Sequence, residues 1–302
     1  MFRQITLNDK SWIDRCRQEG ENSMTVLSFP AVYTWKSTFG LSIDGDDSFY
    51  VIKSEADQGY YYPAGDRDAC RRWVRSMLPS GRRQKAPVNR TGASGVSSGS
   101  RIPFKLVYVP ESELGWLEEL GFTITCEPDT SEYVYSSHSL ALEDNRSGTN
   151  YRVKIRHFSR DTSWTVQELS FPEDTELLRQ MTKIWDQSNG RVSAEDRLAV
   201  LACAEDPAAI GLNGVCIRTQ GGEWAFLLGY PSTDRIYDMS IVKYSLNISR
   251  NVVPVCICEM AKRVSGAFPY INLEDDLGDP GLRNMKKLYH PLFLLDSYSA
   301  FW

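Results

Sequence analysis

The second half of this 302-residue sequence changes its hydrophobic period in a fixed order, and that order restricts the folds open to it. FPEDTELLRQMTKIWDQSNG places Leu177, Leu178, Met181, Ile184 and Trp185 on one helical face and stops at Gly190. A second helix opens at Ser193, with Asp196 three residues on as a capping box ahead of Leu198, Leu201 and Ala202. LNGVCIR and EWAFLLGY, joined through Gln220, Gly221 and Gly222, read as a hairpin, and IYDMSIVKY as a third strand. The period then returns to 3.6 in NVVPVCICEMAKRVSG. PYINLE is a strand, PGLRNMKKLYH a short helix with Asp279 as N-cap and Pro280 in its first turn, and LFLLDSYSAF a closing strand.

The first half repeats the tail of that order without residue-level similarity. SFYVIKS and YYYP read as strands, DACRRWVRSML as a helix, FKLVYVP as a strand, and ESELGWLEEL as a helix stopped by Gly121. FTITC and SEYVYSS return as strands. We therefore expect two similar α/β (α+β) halves with mixed sheets, 1–150 and 151–302, meeting between Ser147 and Thr165. From Pro79 to Arg101 the chain is rich in Ser, Gly and Pro and carries Arg82, Arg83, Lys85, Arg90 and Arg101 without an acid, which predicts a mobile basic loop, either a solvated insertion or an arm that touches the phosphates of tRNA.

The overall charge of -5 gives the body of the chain no positive field for nucleic acid. The sequence lacks a run of about 18 apolar residues and an apolar leader, so a cytoplasmic protein without a spanning helix is expected. Seven scattered cysteines without a C-x-x-C pair fit a reducing compartment, with Cys256 and Cys258 as buried apolar residues. Three separated histidines offer no metal site, and Trp35, Trp185 and Trp224 are expected in cores.

The helix, helix, three strands, helix, strand, helix, strand order is that of the GNAT acyltransferase fold. The run Tyr270 to Pro291, YINLEDDLGDPGLRNMKKLYHP, resembles the signature N-x-E-x-D-L-G-x-x-G-L-R-x-x-K-x-x-Y-x-P of bacterial proteins related to the C-terminal domain of phosphatidylglycerol lysyltransferase. SFPAVYTWKSTFG, YYYPAG, EPDTSEYVY and IYDMSIVKY agree in order and place. The resemblance implies a tandem GNAT-like fold in a stand-alone soluble member, in a family whose full enzymes move an aminoacyl group from aminoacyl-tRNA to a lipid head group.

Within the signature, strand alternation lets Asn272 and Glu274 face a cleft, and Arg283 and Lys286 share one face of the following helix. This pattern suits a zwitterion. Glu274 or Asp276 would pair an ammonium, and Arg283 or Lys286 would contact a carbonyl or phosphate; alternatively these charges pair with one another and fix the strand–helix corner. For transfer, Glu274 is the expected base, Tyr289 or Tyr237 the acid, and Lys243 a stabiliser of developing negative charge or a snorkelling strand lysine. SLNISRNVVP has no glycine to let a backbone approach a diphosphate, which disfavours CoA at that turn; Gly65, with Tyr62 in YYYPAGDRDACRRW, is the better place for a cofactor, against a structural role for it where Asp66 and Asp68 would repel an anion. No tightly bound cofactor is expected, with acyl-CoA or aminoacyl-tRNA as the donor substrate. The expected function is acyl transfer, aminoacyl transfer in particular, to an amine or hydroxyl; the alternative is a GNAT-fold protein that binds an amino acid or small molecule without turnover.

Overall fold

The computed structural model describes residues 1–20, 23–79, 104–188 and 193–302. The expected basic arm, Pro79 aside, lies outside the described residues. Two mixed sheets organise the rest. In the first, the strands run Arg3–Gln4, Leu41–Asp46, Phe49–Ser54, Gly59–Tyr61, Lys105–Val109, Tyr298–Phe301 and Thr123–Cys126, with Ala64–Gly65 paired to Phe49–Ser54. In the second they run Phe293–Leu295, Glu132–Ser136, Tyr270–Asn272, Ile236–Tyr244, Trp224–Pro231, Asn213–Thr219 and Trp164–Leu169. Among the described residues only Gly59–Tyr61 with Lys105–Val109, and Ile236–Tyr244 with Tyr270–Asn272, are parallel neighbours.

The two sheets exchange strands. Glu132–Ser136, from the first half of the chain, lies between Phe293–Leu295 and Tyr270–Asn272 in the second sheet. Tyr298–Phe301, from the end of the second half, lies between Lys105–Val109 and Thr123–Cys126 in the first. LFLLDSYSAF, expected as one closing strand, is therefore two strands in different sheets. The chain crosses at Asp296 and Ser297, where the Ser297 amide donates to Ser131 Oγ (3.2 Å) and its carbonyl accepts from the Glu127 amide (2.8 Å).

At the seam between the halves, helix Lys10–Glu19 lies on Phe49–Ser54 and Ala64–Gly65 of the first sheet, and helix Phe29–Phe39 packs against Leu41–Asp46 and, from the second half, helix Ala194–Glu205, which packs in turn on helix Thr175–Ser188. One buried cluster spans this seam, joining Ile13, Leu27, Phe29 and Tyr50 to Met181, Cys203, Phe226 and Tyr230. At about 1.5–3 kcal/mol for each fully buried large apolar side chain, this shared cluster outweighs any single polar contact across the seam. Helix Ala194–Glu205 buries Ala199, Val200, Cys203 and Ala204, whereas Leu198 and Leu201, expected on its inner face, are 46% and 38% exposed. The small residues let the two helices approach closely enough for Thr34 Oγ1 to lie 3.4 Å from Cys203 Sγ.

Helix Val252–Val264 covers the other face of the second sheet, with Cys256 and Cys258 buried beside it as expected. No helix among the described residues is long and apolar enough to cross a membrane.

Candidate functional site

Strand Ile236–Tyr244 contains the local irregularity on which the site depends. Leu228 faces Ile241 and Gly229 faces Met239 across the hairpin, so Ser240 is an extra residue, a β-bulge that re-aims the side chains around it. Tyr237 and Met239 pack into the core under helix Val252–Val264, while Asp238, cross-strand from Tyr230 and in register with Asn272, faces the seam between the halves.

Strand Tyr270–Asn272 ends two residues before Glu274, which adopts a left-handed backbone (φ 61°). A glutamate takes that conformation only when its surroundings hold it there. Asn272 Oδ1 accepts from the Glu274 amide (2.7 Å), the Tyr133 amide donates to the Glu274 carbonyl (3.1 Å), and Lys286 Nζ donates to the carbonyls of Leu273 (2.6 Å), Glu274 (3.0 Å) and Asp275. The carboxylate so presented accepts from Ser240 Oγ (2.7 Å). Burial pushes its pKa up to about 7, with the Ser240 hydrogen bond and Lys286 opposing the shift, although the residue as a whole keeps some exposed surface. Asp275 is pushed up to about 6, again chiefly by burial.

Asp238 is the most anomalous group in the neighbourhood. It is fully buried, and neither carboxylate oxygen has a hydrogen-bond partner among the described residues. Burial, and after it the charge of Glu274, hold its pKa well above the usual carboxylate range; the Tyr230 hydroxyl is close enough to ease the shift without reaching hydrogen-bonding geometry. An uncompensated buried carboxylate is costly, so its place is explained by a proton it keeps or a cation it meets. Nearby, Glu132 is satisfied by the Thr25 amide and hydroxyl (both 2.9 Å) and by Asn272 Nδ2 (2.6 Å).

The signature residues thus divide. Asn272, Lys286 and Glu274 are brought together, but Asn272 and Lys286 are buried and hold the backbone that presents Glu274, in place of the expected contact with ligand. Asp276 and Arg283 form the corner pair: Arg283 donates to both Asp276 oxygens (2.8 and 2.7 Å) and to Asp129 (2.6 Å), and Tyr133 OH donates to Asp276 (2.6 Å). The Arg283 guanidinium brings the Asp276 pKa down to about 2.

The two tyrosines expected as acids stand away from Glu274. Tyr237 donates to Asn213 Oδ1 on the helix-covered face, and Tyr289 packs edge-on to Tyr151 (4.8 Å) in the same core. Strand alternation accounts for Tyr237, one residue out of phase with Asp238. Lys243 is paired with Asp196 (2.8 Å) and lies over the Trp185 ring, which leaves it as a snorkelling strand lysine.

Gly65 (φ 139°) pairs with Phe49, and a β-carbon there would fall 2.2 Å from the Ser48 carbonyl oxygen, so the glycine serves close strand packing. Tyr62 donates to Glu113 (3.0 Å), which also pairs Arg67 and Arg71. The cavity beside them measures about 100 Å³. At roughly 30 Å³ per water it has room for a few solvent molecules and not for a coenzyme.

A much larger cleft, about 1090 Å³, opens between the halves. Ser28 and Tyr230, whose hydroxyls lie 3.1 Å apart, line it, and Tyr230 is the cross-strand neighbour of Asp238.

Residues 28–301 match the family model described as phosphatidylglycerol lysyltransferase, C-terminal. The chain belongs to this family. No curated protein sequence matches it. Among solved structures, a conserved protein of unknown function from Bacteroides thetaiotaomicron is similar over 99% of this chain and 98% of that one, at 23% identity and a TM-score of 0.79. The C-terminal domain of a putative lysylphosphatidylglycerol synthetase from Agrobacterium fabrum is similar over 98% and 91% (12% identity, TM-score 0.64). L-PGS from Bacillus licheniformis is similar over 97% and 91% (12%, 0.61). At these identities the likeness is one of fold, and it agrees with the tandem GNAT-like architecture expected from element order. Family and fold together make the chain acyltransferase-like.

Sequence reasoning missed Asp238, Ser240 and Tyr230. A signal for the first was present: an aspartate in the middle of IYDMSIVKY, a strand flanked on both sides in the sheet, is rarely buried without a partner or a task.

Proposed function

We propose that this protein transfers an aminoacyl group from aminoacyl-tRNA to a hydroxyl or amine, with Glu274 as the base. The observation that carries this reading is the pair at the seam: Asp238, buried with two unpartnered oxygens, beside Glu274, a carboxylate held ready in a strained backbone. An ammonium, as every aminoacyl group has, is the compensation this pair lacks. The acceptor gives its proton to Glu274 as its oxygen or nitrogen bonds to the aminoacyl carbonyl carbon. The ester C–O bond to the tRNA ribose then breaks, and the leaving oxygen takes that proton back from Glu274. Membership of the phosphatidylglycerol lysyltransferase C-terminal family supports the same reading.

A tRNA-borne donor is preferred to acyl-CoA. The turn before helix Val252–Val264 has no glycine, so side chains at every position keep a pyrophosphate from close approach to its backbone amides.

The test is transfer of radiolabel from charged tRNAs, with acyl-CoAs in parallel, to hydroxyl and amine acceptors by the purified protein. Label should move from the tRNAs, and Glu274→Gln should slow it at least about 100-fold. Saturable binding of the aminoacyl group without product would replace the transferase with the non-catalytic amino-acid-binding reading.

A further inference from the structure

The large cleft has a wall that the transfer chemistry does not use. Among the described residues Phe293–Leu295 is the edge strand of the second sheet: it pairs with Glu132–Ser136 on one side and with no described strand on the other. Phe293 and Leu295 line the cleft, and Leu292, Phe293 and Leu294 are 48%, 40% and 40% exposed. Proteins ordinarily guard a free strand edge with a lysine, a bulge or a cover, because its unpaired N–H and C=O groups are a template for another extended chain. The run Leu292 to Leu295 contains no charge.

The remaining walls mix apolar residues, among them Pro30, Ile236 and Phe268, with polar and charged ones. Tyr270 meets Phe293 edge-on (5.5 Å), and the Arg235 guanidinium lies 5.2 Å from the Tyr270 ring centre. Across the cleft, Arg17 donates to the Met24 carbonyl (3.0 Å) and reaches Ser232 Oγ at 3.5 Å, while its Nε is buried without a partner. Neither arginine has an ion pair among the described residues, whereas Lys10 is neutralised by Asp14 (2.6 Å). Asp234 is exposed and has no ion pair among the described residues, so those that line the cleft carry an excess of one positive charge.

The geometry points to a binding site for an extended peptide that carries a carboxylate, its main chain added to the free edge of Phe293–Leu295 and its acid at Arg17 and Arg235. Strand addition supplies main-chain hydrogen bonds while the flanking pockets and charges select side chains. A volume of about 1090 Å³ passes the roughly 300–1,000 Å³ common for small-molecule pockets and suits several residues of chain. An acyl chain is the poorer occupant, because it would strip water from Arg17, Ser232 and Thr233 without replacing their hydrogen bonds.

The experiment uses the full chain and a fluorescent, N-acetylated hexapeptide of alternating valine and glutamate, its lysine-for-glutamate counterpart, and vesicles of anionic phospholipid. Anisotropy should report saturable binding of the glutamate peptide, weakened by salt, and none of the lysine peptide. Arg17→Ala and, separately, the exposed Arg235→Ala should each weaken binding about tenfold, and Leu294→Lys should do the same at the strand edge. Amide exchange of residues 292–295 should slow on binding. Glu274→Gln should bind the peptide as the wild type does, so loss of transfer and loss of docking are read separately. Equal binding of both peptides, unchanged exchange at 292–295, or binding of vesicles with none of peptide would each overturn the assignment.

Discussion

If Glu274 is the base proposed above, it is made ready for proton transfer by residues outside the reaction itself. Asn272, Tyr133 and Lys286 fix its backbone at φ 61°, and burial raises its pKa to about 7 from an ordinary 4.5. A base must be deprotonated to act, so transfer should rise about tenfold per pH unit below 7 and level off above it, in a pH–rate profile that Glu274→Gln abolishes. Stability runs the other way. Between 4.5 and 7 the folded chain keeps a proton that the unfolded chain has released, so the contribution of Glu274 to stability falls as pH rises through that window. The melting temperature of Glu274→Gln should therefore gain on the wild type between about pH 5 and pH 8, measured by calorimetry; a constant difference would mean that the carboxylate is not perturbed. The sequence made Glu274 legible through the signature and left Asp238 hidden, because alternation assigns faces within a strand but does not say which face meets the other half of the chain.

At the level of elements, the corner between strand Tyr270–Asn272 and helix Pro280–Leu288 is pinned by Asp276 and Arg283. Asp276 is fully buried and Arg283 is 32% exposed in its side chain. Removing one partner of a buried pair costs about 3–5 kcal/mol, and the exposure of Arg283 lets water recover some of this, so Asp276→Asn should cost about 2–3 kcal/mol in denaturant unfolding. With a folded pKa of about 2 against 3.8, this pair stabilises fully above 3.8, and its contribution is lost as pH falls toward 2. Transfer by the folded variant should persist at reduced efficiency, since Asp276 holds the corner while the proposed base is Glu274.

Other elements explain what periodicity could and could not reveal. Helix Pro280–Leu288 was readable from Asp279, whose Oδ1 accepts from the Leu282 amide (2.7 Å). Helix Phe29–Phe39 is buried from Phe29 to Thr34 on every side, so it has no polar stripe to set a period. Helix Thr149–Asp161, which occupies the expected boundary, buries only Tyr151 and Phe158, a stripe too thin to distinguish from a linker.

Across the whole molecule, the exchanged strands and the shared core bind the two halves into one folding unit. Expressed separately, 1–150 would lack the strand that joins Lys105–Val109 to Thr123–Cys126, and 151–302 would lack the strand beside Tyr270–Asn272. Each half alone should be insoluble or unfolded by circular dichroism, and the two should regain structure when refolded together; two independently folded halves would refute this cooperative account. The duplication was legible in the sequence because each half has its own order of periods. The exchange was not, since period tells a segment to be a strand and is silent on its neighbour. One consequence concerns synthesis on the ribosome: Lys105–Val109 must wait roughly 190 residues for the strand that completes its sheet, so the first half emerges with an open β-edge throughout translation of the second. Closing so long a loop is slow, and for that interval the nascent chain depends on chaperones or on rapid elongation to keep the edge from pairing elsewhere.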